Sequence, residues 1–167
     1  MNVTKNGITI SISDAEIVRM ALERLNDAPR PIAFVHLESD VPRIGEQWST
    51  QGGIYAGVAR GRDGAPDYHL IVGPEFDGQV DWDGADKWAA GVTVHGFSDF
   101  AMPFRKEQTL AFANVPELFK AEYYWSCEQH ASYSYYAWLQ DFGYGNQNNW
   151  KKDNQIRARV VRRLVIQ

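Results

Sequence analysis

The stretch from Tyr133 to Trp150 gathers side chains suited to holding a ligand. It contains Tyr133, Tyr135, Tyr136, Tyr144, Asn146, Gln147, Asn148, Asn149 and Trp150. Rings give large contact area at small entropic cost, and amides adapt their hydrogen bonds to a partner. Sugars present apolar faces edged by hydroxyls and nucleobases present flat π-faces, so one set of residues suits both. Lys151, Lys152, Arg157 and Arg159 follow and could hold sulfate, carboxylate or phosphate. Within the stretch, Tyr136, Trp138 and Phe142 read as core. Residues 145–152 read as a long polar loop, and binding groups favour loops on rigid scaffolds.

Catalytic spacing is absent. His36, His69, His95 and His130 are scattered and form no His–x–x–x–His pair. Cys127 would need a neighbouring base to act as a nucleophile, and a buried structural thiol is the commoner case. A single cysteine excludes an intramolecular disulfide and a cysteine-based zinc cluster. Asp77, Asp81, Asp83 and Asp86 are acidic enough to suggest calcium, but they lack the EF-hand spacing. Asp83 more simply caps a helix. The expectation is a protein without enzymatic activity, resident cofactor or metal.

The elements that must position these residues can be read from periodicity. Residues 8–12 alternate as a strand, and Ser13 with Glu16 forms a capping box for a helix over 14–25. Ile17, Met20, Ala21 and Leu25 line its apolar face, and 31–37 could be another strand. Residues 38–52 read as a linker or loop. Strands are expected over 54–60 and 68–72, joined by a hairpin loop at 61–66. A helix starts near Asp83 and turns Ala85, Trp88, Ala89 and Val92 inward; a second covers 105–113. Strands are expected over 123–126, 135–142 and 156–165. The organisation is a strand–helix extension over 1–45 followed by a domain over 46–167. In the last strand Arg162 shares a face with Ile156, Ala158, Val160 and Leu164. Either a bulge shifts the register, or Arg162 is buried and paired.

The chain has 167 residues with 44% hydrophobic and 23% charged residues, the profile of an ordinary globular domain. The net charge of −4 argues against a general polyanion binder. The charge is unevenly spread. Residues 151–167 set six cations against Asp153 alone, a balance of +5, so the other 150 residues carry −9. Such a basic strand could attract a localised anion, or simply be decorated against edge pairing. The N-terminus does not read as a secretory signal, and no apolar run nears the roughly 20 residues that span a bilayer. The expected location is cytoplasmic or virion-associated, away from membranes.

Residues 81–119 and 123–164 together resemble the family named for the C-terminal domain of the Legionella collagen-like adhesin. The resemblance runs through Ala85, Trp88 and Ala89, then Gly96, Asp99, Pro103 and Glu107. It continues through Tyr124, Trp125 and Ser126, Ala137 and Trp138, Phe142 and Gly145, Lys151 or Lys152, and Arg159, Val161 and Arg162. The sequence departs from the pattern at Phe100–Ala101–Met102, where the family's Arg is absent, at Cys127 in place of a second Ser, and in lacking a collagen-like stretch. The resemblance implies an α+β, C-type-lectin-like fold: a mixed antiparallel sheet with two flanking helices. Trp88, Asp99, Glu107, Trp125, Trp138 and Arg162 then become structural, with Asp99 or Glu107 as the partner of Arg162. Asn148, Asn149 and Asp153 weakly resemble lectin calcium ligands. Formylglycine-generating enzymes share the broad fold but depend on paired cysteines.

The implied function is recognition of an anionic glycan or other surface ligand, by a homo-oligomer with a trimer favoured. Two further readings stay open. One is a phage or prophage protein that sequesters a nucleotide or blocks a host defence protein. The other is a structural virion component.

Overall fold

The computed structural model describes residues 2–5, 8–11 and 41–166. The chain divides into two compact units, Met1–Glu38 and Ser39–Gln167. In the first, strands β1 (Asn2–Lys5) and β2 (Ile8–Ser11) pair antiparallel with Val3 opposite Ile10. The alternation at Ile8 announced β2; β1 was not anticipated. The expected helix over 14–25 and strand over 31–37 lie outside the described residues.

In the second unit a four-stranded antiparallel sheet has the order β3 (Gln47–Trp48), β4 (Gly53–Ala59), β5 (Tyr68–Glu75), β9 (Arg159–Val165). A β-bulge between Tyr55 and Gly57 breaks the β4–β5 register. Gly57 has φ 118°, and a methyl group there would stand 2.9 Å from the Asn114 amide, which itself donates to the Ala56 carbonyl. Only glycine fits both demands. A second antiparallel sheet has the order β6 (Tyr123–Gln129), β7 (Tyr136–Asp141), β8 (Gln147–Lys151).

Among the described residues, two helices complete an α+β fold. Helix α1 (Trp82–Gly91) starts where the Asp81 carboxylate accepts from Gly84 N at 2.7 Å, so the cap is Asp81 and the anticipated Asp83 falls in the first turn. Its Ala85 and Ala89 are buried with Trp125, Leu139, Ala158 and Val160 in one core cluster. Helix α2 (Arg105–Asn114) begins with Glu107 reaching back to Phe104 N at 2.7 Å. Its Ala111, with Val115 beyond its end, joins Ala56, Leu70, Val72, Tyr124 and Phe142 in a second cluster. Among the described residues, no helix is long and apolar enough to cross a membrane.

Strand β9 resolves the phase conflict by burying Arg162. The bulge in its ladder lies on β5, where three steps from Val72 to Glu75 match two along β9, and it leaves the alternation of β9 intact. Val160 faces one core cluster and Val161 the other, so the strand is covered on both faces. β9 ends its sheet's order, with a single bridge from Ala101 to Val161 on its far side.

Candidate functional site

The polar run after Phe142 is a strand. Gln147–Lys151 forms β8, with Gln140 opposite Gln147, Trp138 opposite Asn149, and Tyr136 opposite Lys151. A run of amides carries no apolar alternation, so periodicity could not reveal it. The consequence for the site is large. The β7–β8 hairpin separates the expected ligand residues into two groups, roughly 13 Å apart at about 3.3 Å per residue.

At the turn end, Asp141 Oδ1 accepts from Gly143 N at 2.8 Å and Tyr144 N at 3.2 Å. Tyr144 projects from this turn and is 90% exposed, with Asn146 exposed nearby. Gln147 is committed internally. It accepts from Arg105 Nε at 2.9 Å and donates to Arg105 O at 2.8 Å and Gln140 Oε1 at 3.0 Å. Asn148 Oδ1 caps the Asn149 N–H at 2.8 Å. Trp150 is half-buried against Tyr123, with ring centroids 4.6 Å apart.

The other end of the hairpin forms an open pocket of 630 Å³ lined by Asp81, Asp83, Ser134, Tyr135, Lys151, Lys152 and Asp153. Three segments meet there through backbone hydrogen bonds: Lys152 N to Tyr135 O, and Trp82 N to Lys152 O, both 3.0 Å. The Lys152 ammonium rests 4.0 Å from the Trp82 ring and donates to Gln129 Oε1 at 2.7 Å. Tyr135 is 60% exposed. It packs 5.2 Å from Tyr136 and 6.4 Å from Tyr133. His130 Nδ1 accepts from Ser132 N and Tyr133 N, which holds the loop, and its ring stacks on Trp138. The Arg105 guanidinium lies 3.6 Å from the Trp138 ring centre. Trp138 and Tyr136, expected as core, are therefore half-buried surface rings.

The arginines are occupied elsewhere. Arg157 Nε lies 2.9 Å from Glu122, whose carboxyl it holds below the usual range. Arg159 donates to Gly73 O at 2.9 Å and lies 3.8 Å from Glu75. Arg162 pairs with Asp99 at 2.6 Å and bonds the Gln51 side chain at 2.5 Å. Arg163 takes Glu107 at 2.8 Å through both nitrogens of its fork, the two-pronged geometry that suits a carboxylate. Tyr68 also donates to Glu107, at 2.5 Å. Thus Asp99 holds Arg162, as one of the two expected alternatives, and Glu107 serves the next arginine. Trp88 packs edge-on against Phe76 at 5.4 Å, and Trp125 is fully buried with its indole N–H on Val80 O.

Of the expected ligand residues, the structure brings Tyr133, Tyr135, Lys151 and Lys152 together. Tyr144 and Asn146 stand apart, and Gln147, Arg157 and Arg159 are engaged in tertiary bonds. Ser134 is an addition with no sequence signal of its own; the sequence marks Asp81, Asp83 and Asp153 only as acids that suggest calcium, and Asp83 also as a helix cap. Burial pushes the Cys127 thiol up to about 12, so its thiolate is scarce near neutrality. Among the described residues, no three His, Cys, Asp or Glu side chains are grouped to hold a metal ion. Neither a protein-family model nor a curated protein matches the chain.

Proposed function

We propose that the chain is a non-catalytic ligand-binding domain, built on a C-type-lectin-like scaffold, whose pocket at the Lys151 end of the β7–β8 hairpin takes an acidic glycan. The observation that carries this reading is the exposed Tyr135 ring beside Lys151 in one open pocket on a hydrogen-bonded hairpin. An exposed ring suits the apolar face of a pyranose, and a lysine beside it suits an acid group. The pocket lies on hydrogen-bonded elements, so little order is lost when a ligand docks. A glycan-binding module gains avidity from repetition, and the proposal includes a homo-oligomer, with a trimer favoured. A cytoplasmic or virion-associated location belongs to the same reading.

The test is a glycan array probed with the folded full chain, followed by the Tyr135→Ala and Lys151→Ala variants. Acidic glycans should give signal, and each variant should lose about tenfold or more in affinity, the scale of one charge-assisted or ring contact. An array without hits defeats the proposal. A nucleotide retained in native mass spectrometry would move it to the nucleobase reading instead.

A further inference from the structure

The pocket holds charges of both signs that leave one another alone. Two ammonium groups, Lys151 and Lys152, and three carboxylates, Asp81, Asp83 and Asp153, line it. No ion pair joins any of them among the described residues. Two of the five have other work: Lys152 is held by Gln129 and the Trp82 ring, and Asp81 caps α1. The Lys151 ammonium and the Asp83 and Asp153 carboxylates make no side-chain bond to the described residues, and all three residues are exposed.

This pattern selects a class of ligand. A purely anionic sugar would meet more carboxylates than ammonium groups. A purely cationic one would leave Lys151 without a counterpart. Complementarity favours a partner that answers both signs, because juxtaposed like charges cost more than matched ones return. Resting on the glycan reading above, we propose that the pocket takes a zwitterionic saccharide. Its acid group lies toward Lys151, its free ammonium toward Asp83 and Asp153, and its ring face against Tyr135. The amine sets specificity, since acetylation removes the positive charge and leaves Asp83 and Asp153 without a partner.

The experiment compares three sugars against the full chain by NMR titration, below neutral pH so that amines are protonated. Muramic acid joins a carboxylate and a free amine on one pyranose. N-acetylmuramic acid has the same skeleton with the amine blocked, and glucuronic acid carries the acid alone. Muramic acid should bind most tightly, with acetylation weakening it about tenfold, the scale of one charge-assisted hydrogen bond. The exposed double substitution Asp83→Asn with Asp153→Asn should erase the preference for the free amine. Equal binding of the three sugars, through Tyr135 and Lys151, overturns the zwitterion proposal and leaves the glycan reading standing. If none of the three binds and the array is also blank, both fall.

Discussion

Glu107 shows how much one residue can be asked to do. One carboxylate caps α2, accepts the Tyr68 phenol and receives both prongs of Arg163, all without solvent contact. Asp99 performs a similar service for Arg162, but with its side chain 56% exposed. Burial decides which pair matters. Removing a partner from a buried pair strands a charge that water cannot reach. Losing Glu107 strands Arg163 and also leaves the Tyr68 phenol and the Phe104 N–H without their acceptor. Losing Asp99 strands a buried Arg162 that keeps its bond to Gln51 and its place over the Phe97 ring. Glu107→Ala should therefore lower stability by about 3–5 kcal/mol, and Asp99→Ala by less, about 1–3 kcal/mol, both read from urea midpoints. Equal losses would show that the ranking by burial is mistaken. The family resemblance offered the two candidate partners for Arg162, and could not divide them. Arg162 and Arg163 are adjacent and point to opposite faces of a strand, so the choice depends on which face each helix covers.

At the level of elements, the amphipathic pieces were legible and the polar one was not. Helix α2 spans 105–114 against an expected 105–113, and β4 and β5 lie where alternation placed them. Apolar period and capping chemistry reported those directly. β8 had neither, because its order comes from the ladder with β7 and from side-chain bonds to α2. That dependence exposes a weak point at Gly145. It sits at φ 82°, and a methyl group there would come within 2.6 Å of the Phe112 ring. Gly145→Ala should cost about 1–3 kcal/mol through backbone strain and overpacking. Hydrogen exchange should locate the loosening in β8, and wild-type protection there in the variant would contradict this account. The proposed ligand pocket is only partly legible for the same reason: the sequence points to Tyr135, Lys151 and Lys152, but not to their meeting with Asp81, Asp83 and Ser134. Its walls come from α1, a loop and β8, and only a ladder no period announced brings them together.

Across the whole molecule, acidic protons are shielded in several places at once. Tyr68 and Tyr124 are pushed above the usual phenol range, first by burial and then by the carboxylates of Glu107 and Glu75. Burial raises the Cys127 thiol to about 12. In each case the unfolded chain gives up its proton first. Stability is then full below the ordinary thiol and phenol values, about 8.5 and 10, and declines as pH rises through them toward the folded values. Urea midpoints should fall steadily across that alkaline window, and Tyr68→Phe with Tyr124→Phe should flatten the fall. A flat profile for the parent protein would be inconsistent with these buried groups.

The acidic body and the basic strand, so unequal in sequence, are wired together pair by pair: Arg157 to Glu122, Arg159 to Glu75, Arg162 to Asp99, Arg163 to Glu107. A ribosome makes these cations after every anion they meet. Arg163 emerges 56 residues behind Glu107, a wait of roughly 3–11 s at the usual pace of translation. Throughout that interval the nascent domain carries a carboxylate that cannot be sealed from water without its counter-ion. The core around α2 therefore closes late, and the growing chain must be protected from unwanted partners until the final strand arrives to lock it.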